Sequence, residues 1–75
     1  MLVCGAQNYA ADFSYDRFKA IANETGIKYV IADIAETGGL IAGGQLKSPF
    51  DSCDIVMIQT GSTMRGPNSL SLIFT

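Results

Sequence analysis

The stretch that decides the fold is CDIVMIQTGSTMRGPN, residues 53–68. Its opening part, Cys53 to Ile58, is an apolar run typical of a buried strand. A polar turn from Gln59 to Asn68 begins where that strand ends. Because the ends of strands carry the binding sites of many α/β proteins, the sequence predicts that Gly61, Ser62 and Thr63 lie at a functional edge of a sheet.

Further strands are expected on either side of this one. Leu2 to Ala6 is a short apolar run, and Leu70 to Phe74 follows the polar turn closely. Ile27 to Ala35 is a nearly unbroken apolar run rich in β-branched residues, which suits a strand covered on both faces. The short connection before Leu70 predicts antiparallel pairing with the strand at Cys53 to Ile58.

A helix is expected between the first two strands. Asp12 or Ser14 is a suitable N-cap, and Asp16 falls in the first turn, where the helix dipole favours an acid. Gly26 is placed to end the helix in a left-handed conformation. The residues expected to pack on the sheet recur at helical spacing and are Tyr15, Phe18, Ile21 and Ala22. Strand, helix and strand make a βαβ unit, so the sequence predicts an α/β fold with a mixed, mainly parallel sheet.

Glycine pairs bracket a short apolar segment from Gly38 to Gly44. The spacing fits neither the dinucleotide-binding pattern G-x-G-x-x-G nor a P-loop. The segment is therefore predicted to be a mobile or tightly packed connecting turn and not a nucleotide-binding loop.

Composition argues against several classes of function. The chain has 75 residues and a formal net charge of −2, and its basic residues are scattered, which argues against nucleic-acid binding. The sequence contains no apolar run of about 18 residues, so no membrane contact is predicted. Without histidine, and with two cysteines far apart in sequence, a metal site is not expected.

The same composition favours a partial domain. Apolar residues make up 48% and charged residues 16% of a chain near the lower size limit for a stable core. A small free-standing domain usually exposes more charge. Residues 1–75 are therefore predicted to be a fragment of a larger domain. Cys4 and Cys53, each on a predicted strand, are expected to be buried thiols, with a disulfide as the weaker alternative.

Three polar residues are candidates for chemistry. Asp33 is an acid inside an apolar run, and it either pairs with a cation or lies past the strand end in a solvated turn. Ser62 has no histidine to take its proton, which favours a turn serine over a nucleophile. Arg65 is suited to clamp an anion, although such an arginine more often ties down its own loop.

Short segments of the sequence, taken in order along essentially the whole chain, resemble those of a known protein family. The matching words are Val3 to Ala6 with Tyr9, Tyr15 to Ala22, Ala32 to Ala35, Gly39 to Ala42, Ser48 to Phe50, Cys53 to Val56 and Arg65 to Pro67. They resemble serine hydroxymethyltransferase, especially its eukaryotic form. The resemblance implies the middle of a large domain with the aspartate aminotransferase-like fold (fold type I) of pyridoxal-phosphate enzymes. It also implies an oligomer, in the cytoplasm or the mitochondrion.

The resemblance assigns cofactor roles to individual positions. Asp33 matches the aspartate that pairs with the protonated pyridine nitrogen of pyridoxal phosphate, and this nitrogen would be the cation that the residue pattern asks for. Glu36 stands where the family has a histidine that stacks on the cofactor ring. Ser62 stands at the position of the Schiff-base lysine, and Gly61 replaces the histidine before it. Gln7 stands where a serine near the cofactor is common.

Asn68 also departs from the family pattern, in which an arginine often follows Gly-Pro. The sequence segments that match the family are thus retained, while most positions that match its catalytic residues are changed. The prediction is a catalytically inactive homologue with a structural or regulatory role, as a homo-oligomer or beside an active paralogue. Noncovalent cofactor binding through Asp33 stays open, although the Glu36 carboxylate would oppose an anionic cofactor.

Two alternatives are kept. The first is an active pyridoxal-phosphate-dependent glycine/serine hydroxymethyltransferase of one-carbon tetrahydrofolate metabolism, with its lysine supplied elsewhere. The second is a non-enzymatic module that binds a small polar ligand in a remodelled pocket. The residues expected to form that pocket are Glu36, Gln59, Ser62, Thr63 and Asn68.

Overall fold

The computed structural model describes residues 1–5 and 12–75, which form one four-stranded sheet with two helices. In chain order the elements are β1 (Leu2–Cys4), α1 (Tyr15–Thr25), β2 (Val30–Asp33), α2 (Gly38–Ala42), β3 (Ile55–Gln59) and β4 (Ser71–Phe74). The strands lie in the order β1-β2-β3-β4, with the first two pairings parallel and the last antiparallel. The mixed, mainly parallel sheet and the antiparallel β3–β4 pair are therefore confirmed. In this described part, no helix has the length and apolar character to cross a membrane.

The ends of α1 follow from local chemistry. Ser14 is the N-cap residue, and its carbonyl accepts the N–H of Arg17 at 3.0 Å. Gly26 ends the helix with φ 74°, a left-handed conformation that favours glycine. The predicted positions of the N-cap, of the stop at Gly26 and of Asp16 in the first turn are confirmed, although the Ser14 hydroxyl makes no capping hydrogen bond within the described residues. The predicted apolar stripe is wrong at Ile21, whose side chain is 50% exposed, because it lies off the face that touches the sheet.

The core lies between α1 and one face of the sheet. Its buried side chains come from all three parallel strands and the helix, and they include Cys4, Tyr15, Ala22, Val30, Ala32, Ile34, Val56 and Ile58. The opposite face, here called the back face, carries Val3, Ile31, Met57 and Ile73. Val3 is 60% and Ile73 66% exposed. The described residues cover one face of β2 only, so cover of its second face by chain outside residues 1–75 stays a prediction.

Two thiols take part in this core. Cys4 and Cys53 are both free, and the Cys4 thiol donates to the carbonyl of Ile31 at 3.4 Å. Burial, followed by the neighbouring Cys4, raises the pKa of Cys53 from 9.0 to about 12, and burial also raises the pKa of Cys4. Both groups therefore stay protonated at neutral pH and behave as small apolar side chains.

Asp54 fixes the register of the two central strands. Its carboxylate Oδ2 accepts the N–H of Val30 at 2.8 Å, and its own N–H donates to the Val30 carbonyl at 2.8 Å. Lys19 of α1 forms an ion pair with the same carboxylate at 3.2 Å. One side chain thus joins the start of β3 to the start of β2 and to the helix above them. This role of Asp54 in the strand register was not predicted from the sequence.

The segment from Gly38 to Ala42 is a short helix and not the predicted turn. Its N-terminal end lies against the β3–β4 connection, where the Gly39 N–H donates to Thr63 Oγ1 at 2.9 Å. A Cβ atom on Gly39 would collide with the Thr63 carbonyl oxygen. The glycine is therefore required by the close approach of two backbones, which confirms the tightly packed alternative for this segment.

Replacing Asp54 with alanine is expected to lower the melting temperature more than replacing Lys19 with methionine. Only the first change removes the acceptor of the buried Val30 N–H, and a buried donor without an acceptor is costly. Val30 and Lys19 hold the pKa of Asp54 below its ordinary 3.8, so this stabilisation is present above that value and is lost as pH falls through the lowered pKa. Thermal unfolding followed by circular dichroism from neutral to acid pH measures both effects.

The exposed Asp51→Ala variant is the matched control, and its melting temperature should stay near that of the parent. Equal losses in the Asp54 and Lys19 variants would contradict the role of the Val30 contact. So would a difference between parent and Asp54→Ala that is the same at neutral and acid pH.

Replacing Gly39 with alanine is expected to destabilise the protein by about 1–3 kcal/mol, the usual cost of forcing an extra group into a packed contact. Gly43→Ala is the matched control, because Gly43 has φ −79° and its added Cβ would make only an ordinary contact. Urea unfolding measures both variants. Equal stability of the two would show that α2 and the β3–β4 connection separate at little cost.

Candidate functional site

The connection between β3 and β4 is organised by Thr60, which is buried at its start. The Thr60 N–H donates to the Leu70 carbonyl at 3.0 Å, and the Thr60 carbonyl accepts the N–H of Gly66 at 2.7 Å. The Thr60 hydroxyl donates across the loop to the Pro67 carbonyl at 2.7 Å. These bonds fold residues 61–69 into a compact loop at the sheet edge.

The turn between β2 and α2 faces this loop. The N–H of Ile34 donates to the Met57 carbonyl at 2.9 Å, which extends the pairing of β2 with β3 by one step. Asp33 Oδ1 accepts the N–H of Ala35 at 3.0 Å, so the carboxylate stabilises its own turn. The chain then places Glu36 opposite Ser62, and the Ser62 hydroxyl donates to Glu36 Oε2 at 3.2 Å.

An open cavity of about 390 Å³ lies between the two segments. We call it the strand-end cavity, and its lining residues are Glu36, Gln59, Gly61, Ser62, Asn68 and Ser69. Asn68 lies directly over the Gly61 backbone, because a Cβ atom on Gly61 would come within 2.7 Å of Asn68 Oδ1. Ser69 adopts a left-handed conformation with φ 64°. The cavity is thus formed by the ends of β2 and β3, as the sequence predicted for this edge.

The lining is polar and carries one formal charge. Glu36 is its ionisable side chain, and the others contribute two amides, two hydroxyls and a glycine backbone. Neither lysine nor arginine is among the lining residues. The arrangement therefore suits hydrogen bonding to a neutral or cationic group and disfavours an anion.

The predicted site residues are only partly brought together. Glu36, Gly61 and Ser62 meet at the cavity, but Asp33 is not among its lining residues. The carboxylate that meets the Ser62 turn is thus Glu36, three positions beyond the one expected at this edge. No lysine or arginine in the described ranges forms an ion pair with Asp33. The alternative position past the strand end is wrong, because Asp33 is the last residue of β2, although its carboxylate does bond the turn that follows. Gln7 lies outside the described residues.

Two further predictions concern groups beside the cavity. Thr63 was expected in the pocket, but its hydroxyl accepts the Gly39 N–H and is not part of the lining. Arg65 is exposed, has φ 58°, and donates its backbone N–H to the Ser62 carbonyl at 3.1 Å. It contributes to the loop by its backbone, and its side chain is not in the cavity lining.

Sequence reasoning missed Thr60 and Ser69. Thr60 is β-branched and follows an apolar strand, so the pattern indicated one more strand residue. Nothing in the pattern indicated that its hydroxyl organises the loop. Ser69 lies beside a Gly-Pro-Asn turn, and its left-handed φ depends on the hydrogen bonds of the whole loop. Across residues 1–5 and 12–75, no three acidic, cysteine or histidine side chains are grouped so as to hold a metal ion.

Comparison with known proteins connects this chain to one family. The family model for serine hydroxymethyltransferase matches residues 1–75. The chain is 44% identical over 75 residues to the serine hydroxymethyltransferase of Rippkaea orientalis and 43% identical over 75 residues to that of Crocosphaera subtropica. Both matches cover 100% of this chain and 17% of the relative. The cytosolic serine hydroxymethyltransferase of Encephalitozoon cuniculi is 42% identical over 74 residues, which is 99% of this chain and 16% of that protein.

These matches confirm the resemblance found in the sequence words. The chain spans only 17% of the length of the curated relatives that match it along its whole length. Serine hydroxymethyltransferases are fold type I pyridoxal-phosphate enzymes, and the mixed, mostly parallel sheet is consistent with that fold. Since the family model covers every residue, the chain belongs to the serine hydroxymethyltransferase family.

Proposed function

We propose that this chain is a catalytically silent member of its family, with a structural or regulatory role in an assembly. The observation that supports the proposal is the Ser62–Glu36 hydrogen bond of 3.2 Å. By resemblance, Ser62 stands at the position of the Schiff-base lysine. A hydroxyl group cannot form a Schiff base with an aldehyde, so the covalent link to the cofactor is lost at this position.

The residues of the strand-end cavity do not fit pyridoxal phosphate as the family holds it. The cofactor is an anion at neutral pH, while the cavity contributes a carboxylate and no lysine or arginine. Glu36 cannot stack on the cofactor ring as the histidine of the family pattern does. Asp33 keeps a carboxylate at the strand end, but it lies outside the cavity lining and is bonded to its own turn.

A silent subunit fits an oligomeric family whose active sites lie near subunit interfaces. We propose that the chain associates with further copies of itself or with an active paralogue. The compartment would then be that of the active enzyme, either the cytoplasm or the mitochondrion. An active glycine/serine hydroxymethyltransferase is the competing proposal. It requires an amine at the cofactor from a residue other than Ser62.

We also propose that residues 1–75 are part of a larger domain, which covers the back face. Exposed apolar side chains on this face and at the β4 edge support the proposal, since Val3 is 60% and Ile73 66% exposed. β4 is an edge strand with every residue exposed, and such an edge readily pairs with a further strand. The greater length of the relatives supplies enough chain for this cover.

Pyridoxal phosphate is expected to leave the natural protein without a Schiff base. Visible absorbance during titration, followed by borohydride reduction and peptide mapping, measures this directly. In the Ser62→Lys variant the new amine would pair with Glu36, so Glu36→His is combined with it. The double variant is expected to trap cofactor at position 62, because the scaffold around the turn is retained.

Ser52→Lys is the matched control, since it adds the same amine outside the strand-end cavity. Reduction of cofactor onto a specific lysine of the natural protein would overturn the proposal and support the active enzyme. Trapping in the double variant but not in the control would support a site that keeps the shape of the cofactor pocket and has lost only its reactive side chains. Failure of every variant to trap cofactor still supports a silent protein and shows that the cofactor pocket itself is gone.

Hydroxyl-radical footprinting tests the proposed cover of the back face. Val3 and Ile73 are expected to be protected in the native full-length protein, relative to its urea-unfolded state, at every protein concentration. Protection that disappears on dilution would assign the cover to another subunit and contradict cover by the same domain. Labelling of both residues as in the unfolded state would show that the face is open to solvent.

A further inference from the structure

The strand-end cavity has the size and chemistry of a site for a small molecule. Its volume of about 390 Å³ falls within the range of protein ligand sites. The walls come from two segments that are each fixed by backbone hydrogen bonds, the turn after β2 and the loop after β3. The cavity is therefore held in shape by the scaffold and does not depend on one flexible side chain.

The charge of the cavity selects the kind of ligand. Among the described residues that line the cavity, the Glu36 carboxylate is the one formal charge and the other groups are neutral. A carboxylate accepts several hydrogen bonds, so Glu36 can accept an ammonium group while it keeps the bond from Ser62. An acidic ligand would place like charges together at close range, which is unfavourable.

The neutral lining groups suit a ligand that also carries hydroxyl or amide groups. Gln59 and Asn68 each offer an amide, with both donors and an acceptor. Ser62 and Ser69 each offer a hydroxyl. Asn68 lies over the Gly61 backbone, in the space that a side chain on residue 61 would need, so the glycine at position 61 allows Asn68 to take part in the lining.

We propose that the strand-end cavity binds a small molecule with a primary ammonium group and neutral polar groups, such as an amino alcohol, and discriminates against acids and phosphates. Glu36 binds the ammonium group, while the amides of Gln59 and Asn68 bind the neutral part. The proposal rests on the proposed loss of the lysine at position 62, because a lysine there would occupy the carboxylate. It adds a ligand class that the silent-subunit role does not specify.

Isothermal titration calorimetry with ethanolamine tests the proposal on the full-length protein. Binding of ethanolamine is expected, whereas ethylene glycol lacks the charge and inorganic phosphate has the wrong one, so neither should bind measurably. Glycine carries the same ammonium group with an added carboxylate and should bind more weakly than ethanolamine. Glu36→Gln is expected to weaken ethanolamine binding by about tenfold or more, the loss of one charge-assisted hydrogen bond.

Glu24→Gln is the matched control, because Glu24 is exposed near the end of α1 and outside the cavity lining. Its affinity for ethanolamine should equal that of the parent, and unchanged melting temperatures show that both variants fold. No ethanolamine binding by the parent, equal affinity in Glu36→Gln, or tighter binding of phosphate or glycine would each overturn the inference. Cofactor trapped on a lysine of the natural protein would instead overturn the proposed function, so the two failures are distinguishable.

Discussion

The parallel pairing of β2 with β3 is the constraint on which the rest of the structure depends. Asp54 sets this pairing by bonding Val30 with both its side chain and its backbone. A slip by one residue would turn the buried side chains of a strand to the opposite face. Because the register holds, Asp33 lies beside Met57 and the two strands end together at one edge. The segments that follow β2 and β3 therefore lie next to each other at this edge.

This proximity explains why Glu36 and Ser62 are neighbours although they are 26 positions apart. Each follows the last residue of its strand by three positions, Asp33 in β2 and Gln59 in β3. Asp33 itself still belongs to the strand, and its carboxylate turns back to bond the N–H of Ala35. The cavity is consequently formed mainly by the turns, with Gln59 at the end of β3, and its charge comes from Glu36.

Periodicity and apolar runs were enough to predict the strands, the main helix and the antiparallel end of the sheet. These features depend on local pattern, and the stop at Gly26 depends on a single residue that tolerates a left-handed φ. The errors arose where two distant backbones touch. α2 can pack against the β3–β4 connection because Gly39 approaches Thr63 without a side chain, and the role of Asp54 depends on Val30 lying beside it. The exposure of Ile21 likewise depends on how α1 rotates on the sheet.

Four of the positions that the resemblance marks as departures from the family pattern lie in contact in two pairs. Glu36 and Ser62 share a hydrogen bond, and Asn68 fills the space above Gly61. By resemblance, each of these four positions has a cationic or basic side chain in the active enzymes. Restoring a histidine at position 61 alone would force its side chain into Asn68, and restoring a lysine at position 62 alone would pair it with Glu36. Because Glu36 contacts Ser62 and Asn68 contacts Gly61, a change at one member of either pair disturbs the other member.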